Sequence, residues 1–232
     1  MYEGTGSACA ASYLLTTPAT ASAIVAAPPA STTYRFYRGN LHAHSGYSDG
    51  NKDATTSGAS TPADDFALGK LAQQFDFLGI SEHNHAQAGM SLPNYAKGLA
   101  QADQANQDGT FVTLYGMEYG TISGGGHVII YGYDKLIGWE AGNADVYVTK
   151  NDYTALFATL AQQPGAVAYL AHPQITDYNN LFTSPLNATT AQALVGSAMR
   201  SGPAFSTATD YSDPSASSLR PASRMPCASA TT

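Results

Sequence analysis

An α/β domain built on a parallel sheet is the fold class this sequence predicts, on three observations. Short apolar runs alternate with amphipathic stretches of helical length between about residues 34 and 171. Histidines and carboxylates cluster at or just beyond the C-terminal ends of those runs, with His127 the exception near a strand's start, and such ends are where α/β barrels and open α/β sheets alike carry their sites. The chain has 232 residues, a length that one α/β barrel domain routinely fills.

The run from Arg35 to His44 reads as a strand, so His42 and His44 share one face while Leu41 and Ala43 take the other. Ser48, Asp49 and Gly50 open a loop. From Thr61 to Phe75, Pro62 and Asp64 suit a helix start, and Phe66, Leu68, Leu71, Ala72 and Phe75 recur at helical spacing. Asp76 to Ile80 is a short buried strand. A helix over about Asn94 to Gln107, a strand from Phe111 to Met117 and an apolar strand from His127 to Gly132 continue the pattern. A helix over about Tyr153 to Gln163 and a strand from Ala166 to Ala171 complete it.

Outside this body the sequence changes character. Residues 1–33 read as a disordered or non-native leader, 34–204 as the catalytic domain and 205–232 as a low-complexity tail, because both ends combine little bulk with much Ser, Thr, Ala and Pro. Limited proteolysis is therefore expected to remove both tails well before it cuts the strand from Phe111 to Met117. Equal resistance would contradict that division.

Lys and Arg number 10 against 17 Asp and Glu, a formal charge of -7, so the chain lacks the positive field that duplex nucleic acid or an anionic membrane surface requires. No apolar run approaches the roughly 20 residues of a membrane span. The segment ASAIVAAPPA is a poor signal peptide, having no basic residue before it and a break at Pro28 and Pro29. A body rich in Tyr, Thr, Ser, Asn and Gly and poor in Lys nevertheless favours a secreted or periplasmic bacterial protein over a cytoplasmic one. Cys9 and Cys227 lie in the tails, too far from the histidines to frame a thiolate zinc site.

All six histidines fall in four motifs: NLHAHSGYSDG with His42 and His44, DFLGISEHNH with His83 and His85, GGGHVIIYG with His127, and YLAHPQ with His172. Asp49 and Glu118 sit among them. Such a mixed nitrogen and oxygen set suits Zn, Mn or Fe rather than Ca or Mg. His83 ends a strand and projects over the sheet rim, while Glu82 points the other way as a supporting or structural group. His85 either touches substrate or metal or is an exposed loop histidine. Glu118 has the position of a carboxylate that bridges two cations; the plainer reading is a surface Glu in a strand-end loop. His172 could also be a buried histidine held by Pro173.

The order of these motifs, with GMEYG before GGHVIIYG, resembles the PHP (polymerase and histidinol phosphatase) superfamily of metal-dependent phosphoesterases over about residues 38 to 175. That resemblance implies a distorted, seven-stranded, TIM-like (βα) barrel. It also implies two or three divalent metal ions that activate a water against a small-molecule phosphate ester, with His42, His44, Asp49, His83, Glu118, His127 and His172 as ligands and Glu118 bridging. Lys52 is the nearest candidate to meet the phosphate, ahead of Arg38 and Arg200, although a solvated surface lysine is the plainer reading. Ser81, Glu82 and His83 stand where the family has Thr-Asp-His, which keeps the ligand. The family's late Asp-x-His pair is absent, since no histidine follows His172; Asp210 and Asp213 offer carboxylates but no second imidazole. The barrel is therefore expected to be truncated and its activity weak. A non-catalytic metal-binding module, an inactive fragment, and a hydrolase of amides or carboxylic esters are the other readings of the same ligand set.

Overall fold

A computed structural model of the chain describes residues 34–50, 58–121, 124–173, 177–178, 181 and 188–198. Both tails, Lys52, Arg200, Asp210 and Asp213 lie outside the described residues. The main sheet has six strands in the order β1-β2-β3-β4-β7-β8 and curls into a half-barrel with four helices. Its strands are β1 (Gly39–Asn40), β2 (Phe77–His83), β3 (Val112–Thr121), β4 (Gly124–Tyr131), β7 (Val167–Leu170) and β8 (Leu194–Ser197). A two-stranded sheet, β5 (Ile137–Gly138) with β6 (Val146–Tyr147), is separate. The helices are α1 (Pro62–Leu71), α2 (Leu92–Ala105), α3 (Tyr153–Leu160) and α4 (Ala188–Ala193).

Two expectations are corrected. The sheet is mixed rather than parallel, because β4 runs antiparallel to both β3 and β7. Only two residues separate β3 from β4, and a connection that short can join only antiparallel neighbours. The reversal also explains why His127 lies near the start of its strand: the start of β4 is at the rim where β2 and β3 end. The strand expected from Arg35 to His44 is regular only at Gly39 and Asn40. Beyond them the Asn40 side chain accepts from His42 N at 3.0 Å and donates to His42 O at 3.1 Å, satisfying backbone groups that a ladder would otherwise pair. Ser81 N still donates to Ala43 O at 2.8 Å, so this segment stays docked on β2.

Side-chain parity divides the sheet into two faces. Leu78, Ile80, Tyr115, Met117, Val128, Ile130, Ala168 and Leu170 join the main core with Phe66 of α1, Tyr95 of α2 and Leu156, Phe157 and Leu160 of α3. The inner face carries Ile129, Tyr131 and Ala171, with Leu114 and Tyr169 against them. Tyr131 and Tyr169 both donate their hydroxyls to the Leu41 carbonyl, which draws β4 and β7 across to the chain leaving β1 and sets the curl. Gly79 and Gly116 leave the space the Tyr131 ring occupies, since a Cβ at either would overlap it.

Each long helix starts where its sequence carries a cap. Ser91 and Asp152 accept from the first turns of α2 and α3, and Thr61 and Asp64 form a reciprocal capping box on α1. Thr61→Ala is expected to cost about 1 kcal/mol in urea unfolding. The Thr61 hydroxyl holds the Asp64 carboxyl below its ordinary value of 3.8, with Ser60 assisting. That contribution is present above pH 3.8 and is lost as pH falls through the lowered folded value, so the variant should lose less stability on acidification than the parent. No helix among the described residues is long and apolar enough to cross a membrane.

Candidate metal centre

Glu118 is 1% exposed, near the end of β3, and its two oxygens face different histidines. Oε2 lies 2.9 Å from His44 Nε2, 3.3 Å from His42 Nε2 and 3.5 Å from His83 Nδ1. Oε1 lies 2.7 Å from His127 Nδ1 and 2.9 Å from His172 Nε2. The half-barrel explains the convergence. The chain after β1, the ends of β2, β3 and β7 and the start of β4 all meet at one rim, each delivering one motif. The rings pack together, with centroids 4.6 Å apart for His44 and His83 and again for His127 and His172. Asp49 stands at the mouth, 41% exposed, with Oδ1 3.8 Å from both His44 Nδ1 and His83 Nε2.

The residues fit a divalent cation. His127 Nε2 faces the Thr121 carbonyl at 2.7 Å, and Nδ1 faces the Glu118 carboxylate at 2.7 Å. Both partners only accept, whereas a neutral imidazole has one N–H, so a second proton or a cation must lie on the Glu118 side. His42 Nε2 and His44 Nε2 are 3.3 Å apart, and each approaches the same carboxylate oxygen. That spacing matches the edge of a tetrahedron, about 3.3 Å, around an ion bound at about 2.0 Å. His83 Nδ1 is buried without a hydrogen bond among the described residues. Among the described residues, three groups of ligand atoms could hold an ion: His42, His44 and Glu118; His44, Asp49 and His83; and His83, Glu118 and His127.

Protonation follows the same geometry. Burial opposes the charge on Glu118, but His127, His172, His42 and His44 bond its carboxylate and hold it well below the usual range. Burial likewise opposes charging of His44 and His127, yet Glu118 raises both above 6.5. For His83 burial wins, lowering it to about 4 despite Glu118. Burial is also what raises Glu82, only partly offset by Ser45 and Ser48.

His85 is not an exposed loop histidine. It is 3% exposed, its ring centroid 5.6 Å from His83 and 5.6 Å from Trp139, and its Nε2 is buried with no hydrogen-bond partner among the described residues. The reason lies 54 residues downstream. The segment bearing β5 and β6 folds over it, tied down by Asn84 Nδ2 to Ile137 O at 2.9 Å and Ala86 N to Glu140 Oε2 at 2.7 Å. Of the cations singled out in the sequence, Lys52 and Arg200 are outside the described residues, and Arg38 is at the opposite rim, donating to Gln73 and Gln74 carbonyls.

Four residues that sequence reasoning missed support the centre. Trp139 covers His85 and meets Tyr119 edge-on at 5.2 Å, while Lys150 Nζ lies 5.7 Å from the indole. Tyr178 donates to the His127 carbonyl at 2.8 Å, and Asn84 Oδ1 accepts from Gly120 N at 3.3 Å. Trp139, the single tryptophan, gave the one available signal. No protein-family model, curated protein or solved structure matches the chain.

Proposed function

We propose that this chain is a metal-dependent hydrolase of small-molecule phosphate esters, of the PHP type, with two or three divalent Mn, Zn or Fe ions at the rim. The observation that carries the reading is the division of five imidazoles between the two oxygens of one buried carboxylate. A carboxylate so placed is suited to bridge, with His42 and His44 serving one ion, His127 and His172 another, and His83 and Asp49 an adjoining position. Divalent ions held there would supply the acidified water and the charge neutralisation that phosphate-ester hydrolysis at neutral pH needs.

The chain's own groups orient that chemistry. The Thr121 carbonyl fixes the proton of neutral His127 on Nε2 and turns Nδ1 inward. The covering segment buries the His85 side of the rim, where Glu140 and Lys150 bring opposite charges. Six strands of the half-barrel are described, and a closed seven-stranded barrel is the complete form that this reading implies.

Slow, metal-dependent phosphate release from a chromogenic monoester or diester with added Mn or Zn is the expected result. Release from carboxylate esters or amides alone would move the assignment to another bond. Bound metal with no turnover of any ester would favour a non-catalytic metal-binding module.

A further inference from the structure

Glu82 is fully buried at the rim, yet its hydrogen bonds all go to one short loop. Ser45 N donates to both carboxylate oxygens at 3.2 Å, the Ser45 hydroxyl donates to Oε1, and the Ser48 hydroxyl donates to Oε2. Burying a carboxylate without a cation bonded to it is costly. Anchoring the loop does not by itself require a carboxylate, because an amide could hold it too, its oxygen accepting from Ser45 and its N–H donating to the Ser48 oxygen. What an ionised carboxylate adds is direction: it can only accept.

We propose that Glu82 and Ser48 act as positioning residues that keep His44 Nε2 free of a proton and so available to a metal ion. The chain of donors runs one way. The Ser48 proton is committed to Glu82, so the Ser48 oxygen presents its lone pairs to His44 Nδ1, 3.4 Å away. Asp49 Oδ1, 3.8 Å from the same nitrogen, is a second acceptor on that side. With a cation among His42, His44 and Glu118, a neutral His44 would therefore keep its one proton on Nδ1 and offer a bare Nε2 to that ion, on the side where Glu118 Oε2 and His42 Nε2 also lie. A glutamine at position 82 breaks this direction, because its amide can donate to Ser48. Ser48 is then released to donate to His44 Nδ1, which moves the ring proton to Nε2 and closes that nitrogen to an ion. Ser45 has no such role, since its hydroxyl spends its proton on Glu82 and accepts from Tyr47 N at 3.1 Å.

The inference rests on the metal-centre reading, and the experiment separates the two. Zn affinity is measured by competition with a chromophoric chelator for the full chain and for S48A, E82Q and S45A, and the visible spectrum of each is recorded after Co substitution. S48A and E82Q are expected to lose Zn affinity about 10- to 100-fold, the usual range for a group that orients a ligand. Both should also change the Co bands, while S45A keeps the parent's affinity and spectrum. Parent-like affinity and spectrum in S48A would overturn the inference, and so would a loss in S45A as large as in S48A. Should E82Q fail to fold, S48A against S45A decides. If the unsubstituted chain itself takes up neither Zn nor Co, the metal-centre reading fails, and the inference with it.

Discussion

Glu118→Gln is expected to release most of the bound metal, lowering Zn or Mn affinity at least about a hundredfold, while Asp49→Asn costs roughly tenfold. The asymmetry follows from position. Glu118 meets five imidazoles with two oxygens in a site 1% exposed, so it is the one anion shared by both halves of the rim. Glutamine keeps the shape but is neutral and replaces one oxygen with a group that cannot bind a cation, so both histidine pairs lose their anionic partner and one of them loses its oxygen ligand as well. Asp49 is 41% exposed and touches only the His44 and His83 side. Titration against a chromophoric chelator measures both variants, with the thermal transition as a check on folding. Equal losses would remove the bridging role from Glu118.

Gly116→Ala should be the most damaging single methyl added to the sheet, costing about 3 kcal/mol in urea unfolding. Its new Cβ would overlap the carbonyl oxygen of Ile130 on β4, with the Tyr131 ring close behind. A carbonyl held in a ladder cannot turn aside, so β3 and β4 would have to separate next to Glu118. Gly79→Ala is the control, because there the nearest atoms belong to the Tyr131 side chain, which can shift at the expense of its bond to Leu41 O. Unfolding curves compare the two, and Gly79→Ala is expected to be milder. The reverse order would mean that the inner face is set by Tyr131 rather than by the closeness of β3 and β4.

How much of this was legible in the sequence depended on the distance over which each feature is determined. Helices α1, α2 and α3 and strands β2, β3 and β7 were readable, because their apolar period and caps lie within the elements themselves. Parity along β2 also placed Glu82 and His83 on opposite faces. The direction of β4 was missed because periodicity carries no direction, although the glycines before His127 marked a tight return. Strands β5 and β6, two residues each, have no period to read. Nor could α4 and β8 be read in a stretch of small and polar residues. Burial of His85 was illegible for a different reason: it is imposed by Trp139 and Glu140, far along the chain, and nothing in the loop after β2 announces them. That the six histidines occupied motif positions was visible at once; that one carboxylate divides five of them needed the curl set by Tyr131 and Tyr169.

Elemental analysis of the chain, purified without chelators, reconstituted with Mn or Zn and freed of excess ion, tests the central claim most directly. Two or more ions per chain, falling by at least one in Glu118→Gln, is the result expected of a carboxylate shared by two cations. A content near zero after reconstitution, or one unchanged by the substitution, would contradict it.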